Sequence, residues 1–149
     1  MPMRKILLII LFLCMVMSFQ EVKTPPKENN TEVQDTSFSQ RELNDSTLYL
    51  ALEYYNIKHP RTVLAQAKLE TGNYTSNHCI NKNNILGLYN SRKGEYFSFD
   101  HWTDCIQAYK DMIEYRLRDG EDYYSFLRRI QYASNPNYTK KLKEIEKDL

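Results

Sequence analysis

The chain has 149 residues, with 20 Lys and Arg against 19 Asp and Glu and a formal net charge of +1. That length supports one domain with a modest core, and the charge balance removes the electrostatic case for a nucleic-acid or anionic-membrane partner. His59, His78 and His101 are scattered, and no Cys/His spacing has the form of a metal site, so neither a metal nor another cofactor is expected.

Residues 1–18 read as a secretory signal peptide. Arg4 and Lys5 precede an apolar run from Ile6 to Met17, and Ser18 follows with Val16 at the small-residue positions of a cleavage site. The run is shorter than the about 20 apolar residues that a membrane span needs. Export to the periplasm, the cell envelope or the extracellular space is therefore expected. A membrane tether arises only if this segment is retained or is lipidated at Cys14, and Leu13 is bulkier than a lipidation signal prefers. Removing the segment leaves 18 basic residues against 19 acidic ones. It also leaves Cys79 and Cys105, either as a disulfide that an oxidising compartment permits or as two buried free thiols.

Residues 19–41 are polar, carry Pro25-Pro26 and lack apolar periodicity, which predicts a flexible linker. The folded domain is expected over 42–149. Asp45 or Ser46 can cap a helix with Leu48, Ala51, Leu52 and Tyr55 on one face. Pro60 suits the first turn of the next helix, which spans about 61–71 and is apolar nearly all round, as a central buried helix should be. Residues 73–84, rich in Asn, Thr and Ser, read as loop. Two short β-prone runs around "NSRKG" predict a hairpin. Three further helices follow from the spacing of Trp102, Ile106, Tyr109 and Ile113, then of Tyr123, Phe126, Leu127 and Ile130, then of Tyr138, Leu142, Ile145 and Leu149, with "RDGED" and "SNPN" between them. The predicted class is mainly α, an α+β arrangement of about five helices with one small hairpin.

One residue is out of place in this pattern. Glu70 lies in the last turn of the buried helix, where backbone carbonyls leave partial negative charge and an acid is disfavoured. It shares a face with Val63 and Ala67, and Lys68 points elsewhere. Burial and the helix end both favour its protonated form, which is what a general acid needs near neutral pH. The plainer alternative is a solvated carboxylate on the rim of the fold.

Four blocks, "VLAQAKLETGNY", "NKNNILGLYNS", "YFSFDHWTDCIQAYKDMI" and "IQYASNPNYTKKLKEI", resemble in content and order the glucosaminidase domains of glycoside hydrolase family 73. These are bacterial peptidoglycan hydrolases related in fold to lysozyme, and the resemblance covers about residues 45–147. It implies a lysozyme-like fold with Glu70 as the catalytic acid. It further implies that the block holding Asn83, Asn84, Ile85, Leu86 and Gly87 helps to form the sugar cleft, and that Tyr132 and Tyr138 are the family's two tyrosines. Gln131 replaces the usual Gly, and Ser134-Asn135 replace Thr-Asp. The second glutamate that many members carry in a longer hairpin lobe has no clean counterpart. Glu95 is the nearest candidate, with Asp100 behind it, and each reads first as a solvated turn carboxylate.

The resemblance thus implies an endo-β-N-acetylglucosaminidase acting on the glycan strands of peptidoglycan. Catalytic candidates are Glu70, Tyr132 and Glu95, and substrate-binding candidates are Asn83, Asn84, Leu86, Gly87, Tyr89 and Tyr138. Trp102 is also an aromatic candidate but opens a helix on its apolar side and reads as core. Muramidase or lytic transglycosylase chemistry, and a non-catalytic wall-binding module on the same scaffold, are the competing readings.

Overall fold

The computed structural model describes Phe38 and residues 40–149. The expected signal peptide, and the linker apart from its last residues, lie outside the described residues. Helix α1 (Asp45–Tyr54) is followed by α2 (Pro60–Thr71) and α3 (Asn77–Lys82). Strands β1 (Tyr89–Asn90) and β2 (Glu95–Tyr96) form an antiparallel hairpin, with Tyr89 opposite Tyr96 and Asn90 opposite Glu95. Then come α4 (Trp102–Met112), a 3-10 turn at Glu114–Arg116, α5 (Tyr123–Arg129) and α6 (Tyr138–Lys147). The fold is mainly α with one small hairpin, as expected.

Helix α2 is the hub. Thr62, Val63, Leu64, Ala65, Gln66, Ala67 and Thr71 are all buried on it, and it packs against α1 and α6. Burying each large apolar side chain contributes roughly 1.5–3 kcal/mol. Polar contacts fix the register of α2 on α6. Arg61 Nη2 donates to the Glu146 carbonyl at 2.9 Å, and Thr62 Oγ1 donates to the Glu146 carboxylate at 3.0 Å. Pro60 occupies the first turn of α2, where its missing N–H has no helical partner to lose.

Just before the expected start of the domain, Phe38 is buried, its ring lies 5.5 Å from that of Tyr54, and the Arg41 guanidinium covers it at 5.1 Å. One aromatic side chain is enough to dock the end of an otherwise polar stretch. Three expectations need correction. The cap of α1 is Asn44, which forms a reciprocal pair of bonds with Thr47, because Asp45 is engaged elsewhere. Residues 73–84 are not all loop. Ser76 accepts from the Cys79 N–H and starts α3, a sixth helix. Only Cys79 is buried on α3, so no periodic apolar face announces it. Finally, Tyr55 is only partly buried and caps the end of α1 rather than joining its buried face.

Cys79 and Cys105 are free and buried. Burial pushes the Cys105 thiol up to about 12, so it behaves as a small core residue. Trp102 is likewise core, with its indole N–H donating to the Arg41 carbonyl at 3.4 Å.

Candidate active site

Glu70 ends the hub helix beside a left-handed reversal of the chain. Gly72, Asn73 and Tyr74 have φ of +57°, +56° and +67°, a run that L side chains seldom adopt. It is tied down on both sides. The Tyr74 N–H donates to Thr71 Oγ1 at 2.8 Å, and the Tyr74 hydroxyl donates to Asp45 Oδ1 at 2.8 Å. Asp45 Oδ2 holds the Lys68 ammonium at 2.5 Å. Lys68 is the basic residue of α2's last turn, and this pair takes it away from Glu70. Among the described residues, the carboxyl of Glu70 is therefore left without a cation.

Its surroundings are close. Gly87 (φ +63°) lies so near that a β-carbon added there would stand 2.8 Å from Glu70 Oε2. On the other side the Tyr138 hydroxyl donates to Oε1 at 2.7 Å. Burial raises the Glu70 pKa, and the bond from Tyr138 opposes that rise to a lesser extent. The result is a carboxylic acid biased towards its protonated form, within a hydrogen bond of a tyrosine and flush against bare backbone.

The two tyrosines come from the far end of the chain and close the site. Tyr132 follows α5 through a Schellman cap: the Gln131 N–H donates to the Arg128 carbonyl at 3.1 Å and the Tyr132 N–H to the Leu127 carbonyl at 3.0 Å. Gln131 is the left-handed residue of that cap, at φ +53°, which explains why a glycine suits the position. Half-buried Tyr132 then donates its hydroxyl to the Leu86 carbonyl at 2.6 Å. Its ring lies 5.8 Å from that of Tyr138, which opens α6.

The expected cleft block divides into different roles. Gly87 touches Glu70 as described, and Leu86 offers its carbonyl to Tyr132 while its side chain is core. Asn84 was expected among the sugar contacts, but it is fully buried. Its Nδ2 donates to the Leu88 and Phe97 carbonyls at 2.8 and 2.9 Å, and its Oδ1 accepts from the Leu88 N–H at 2.8 Å. Asn84 braces the root of the hairpin and is out of a sugar's reach. Asn83, left-handed at φ +49°, donates to the Phe99 and Asp100 carbonyls at 3.1 and 3.0 Å and straps down the chain that leaves the hairpin. Tyr138, expected to bind substrate, is buried with its hydroxyl committed to Glu70.

Glu95 and Asp100 are exposed, and among the described residues no hydrogen bond or ion pair links either to Glu70. Tyr89 is 52% exposed and meets Tyr96, 41% exposed, edge to face across the hairpin. Tyr96 in turn stacks on His78, with ring centroids 4.7 Å apart and planes 13° apart. The His78 ring Nε2 lies 3.2 Å from Ser76 Oγ, and burial lowers its pKa while the Glu70 backbone opposes that to a lesser extent. Sequence reasoning passed over both Tyr96 and His78. Tyr96 falls in the β-prone run, and a lone His in a polar loop carries no pattern.

The arrangement offers an acid, a hydroxyl neighbour and a nearby aromatic surface, the equipment for protonating an oxygen on a bulky polar ring. Neither a curated protein nor a solved structure matches the chain at a significant level. The family model for glucosaminidase, described as mannosyl-glycoprotein endo-beta-N-acetylglucosaminidase, matches residues 46–149, well over half of the chain, including Glu70, Gly87, Tyr132 and Tyr138. The chain belongs to the glucosaminidase family.

Proposed function

We propose that this chain is an exported peptidoglycan hydrolase that cleaves the β-1,4 bond following N-acetylglucosamine, with Glu70 as general acid. The observation that carries the reading is the Glu70 carboxyl itself: without a compensating cation among the described residues, raised in pKa by burial and held by Tyr138. Such a group keeps its proton where an ordinary glutamate has lost it, and can pass it to the leaving glycosidic oxygen. The leader-like residues 1–18 support action outside the cytoplasm.

The second half of the reaction follows one of two routes. A second carboxylate, Glu95 or Asp100, activates water or attacks the sugar, at a separation of roughly 6.5–9.5 Å for inversion or roughly 5–5.5 Å for retention. Alternatively the substrate's own 2-acetamido oxygen attacks the anomeric carbon. The latter is favoured by Tyr132. Its proton is committed to the Leu86 carbonyl, so its oxygen is left to accept, which matches the N–H of an acetamido group.

The test is digestion of purified peptidoglycan by the chain and by Glu70→Gln, with products identified by mass spectrometry. Reducing N-acetylglucosamine ends that disappear in Glu70→Gln support the proposal. Reducing or anhydro muramic ends assign the other glycosidic bond, and wall binding without products assigns a binding module. Inverted product configuration excludes the acetamido route.

A further inference from the structure

Three aromatic rings adjoin where α3 meets the hairpin, and burial does not account for them. Tyr89 and Tyr96 stand directly opposite each other on the two strands, so they share one face of the hairpin. Their rings meet edge to face at 5.3 Å, yet 52% and 41% of their surfaces stay in water. Against Tyr96 the His78 ring stacks at 4.7 Å, with planes 13° apart. The hairpin backbone is secured by other means. Asn84 braces its root, and Asn90 Oδ1 accepts from the Arg92 and Lys93 N–H groups in its turn at 3.1 and 3.3 Å. Adjoining exposed aromatic rings, unlike scattered single ones, mark a binding surface.

This surface is tied to Glu70 from two directions. Gly87, whose backbone lies against the Glu70 carboxyl, comes two residues before Tyr89, a reach of at most about 7 Å. From the other direction, the Ser76 N–H donates at 2.9 Å to the carbonyl of Thr71, the residue after Glu70. Ser76 Oγ lies 3.2 Å from the His78 ring nitrogen and fixes that ring. Lys82, one turn further along α3, donates to the Tyr96 carbonyl at 3.3 Å. Both the ring and the backbone of Tyr96 are therefore held by α3.

We propose that Tyr96 and Tyr89 form a stacking platform for sugar rings of the glycan strand that Glu70 cleaves, and that His78 is a positioning residue for Tyr96. The proposal rests on the glycosidase reading of Glu70. A pyranose ring carries a face of C–H groups that is apolar and slightly positive, and the face of an aromatic ring is negative. A glycan strand fits the surface because it is long enough to lie across Glu70 and the tyrosines at once. Each of its rings offers the same C–H face. Tyrosine has only two side-chain torsions to lose on binding, and at Tyr96 the stacked His78 has already restricted them.

The test titrates peptide-free glycan strands of peptidoglycan into the full chain carrying Glu70→Gln, which prevents turnover. The same chain with Tyr96→Ala, His78→Ala or His78→Phe is titrated beside it. Tyr96→Ala is expected to raise the dissociation constant roughly tenfold, the scale of one aromatic contact. His78→Ala should raise it by a smaller factor, and His78→Phe, which restores a flat ring, should bring it back. In chains that keep Glu70, Tyr96→Ala should raise KM and leave kcat nearly unchanged, as loss of uniform binding does. The ring-proton NMR signals of Tyr89 and Tyr96 should shift as strands are added, a reading that needs no change to the platform. Unchanged affinity in Tyr96→Ala, or unmoved ring signals, overturns the platform, and unchanged affinity in His78→Ala overturns the part given to His78. Tyr96-dependent binding of intact peptidoglycan without binding of peptide-free strands assigns the surface to the peptide stem and overturns the proposal too. Tyr96-dependent strand binding by a wild-type chain that cleaves nothing defeats the proposed function alone. Cleavage that needs Glu70 but not Tyr96 defeats the platform alone.

Discussion

Gly87 and Glu70 are packed so closely that a β-carbon on Gly87 would stand 2.8 Å from Glu70 Oε2 and 3.3 Å from its Cδ. The glycine is required twice over at this point, by its φ of +63° and by the carboxyl lying on it. Gly87→Ala should lose about 1–2 kcal/mol of stability from the left-handed backbone alone. With Glu70 as the proposed acid, it should lose more in activity, about a hundredfold, because displacing a reacting group by even 1 Å costs on that scale. Melting temperature and peptidoglycan turnover, measured on the same preparation, separate the two effects.

The buried acid makes its own pH signature in stability. Folding raises the Glu70 pKa above the ordinary value of 4.5, so ionisation opposes the fold. The favourable, protonated state is fully present below that ordinary value, and its contribution is lost as pH rises through the folded pKa. Glu70→Gln keeps an acceptor for Tyr138 but cannot ionise. It should melt with the wild type at acidic pH and above it at neutral pH. Paired melting curves at the two pH values check this, and a variant less stable than wild type at neutral pH contradicts the assigned burial.

Asn84 was a candidate sugar ligand whose side chain proved to be an internal brace with three short bonds to backbone. Asn84→Leu leaves the Phe97 carbonyl and the Leu88 N–H without the partner they have, while the Leu88 carbonyl still accepts from the Phe97 N–H, and should cost about 2–3 kcal/mol. If hydrolysis survives at low temperature, its KM should be near that of wild type. A raised KM with unchanged stability would return Asn84 to the cleft.

At Gln131 the chain accepts a left-handed residue with a side chain in a Schellman cap. Gln131→Gly relieves that backbone and should stabilise the protein by up to about 1 kcal/mol, net of the greater freedom that glycine has when unfolded. Denaturant titration checks the sign.

The helices and their buried faces were legible because local periodicity encodes them: Leu48, Ala51 and Leu52 on α1, or Trp102, Ile106 and Tyr109 on α4. Glu70 was legible because it broke such a pattern. The rest depended on contacts that no local window contains. Asp45 looked like a cap until Lys68 and Tyr74 claimed its carboxylate. Helix α3 carries a single buried residue. Asn83 and Asn84 are adjacent and chemically identical, yet only Asn84 is enclosed by the hairpin. Gln66 reads as one polar residue on a helix until Tyr109 and Tyr123 meet it.

The distances along the chain between partners at the site have a kinetic meaning. Tyr138 reaches Glu70 across 68 residues and Tyr132 reaches Leu86 across 46. Contacts of such long span carry a larger loop-closure cost than local ones and are expected to form late. While α6 is undocked, Glu70 has no Tyr138 beside it and less cover, and it is an ordinary wet carboxylate. The unusual acid is therefore among the last features to mature, and a partly folded chain carries the glutamate without its chemistry.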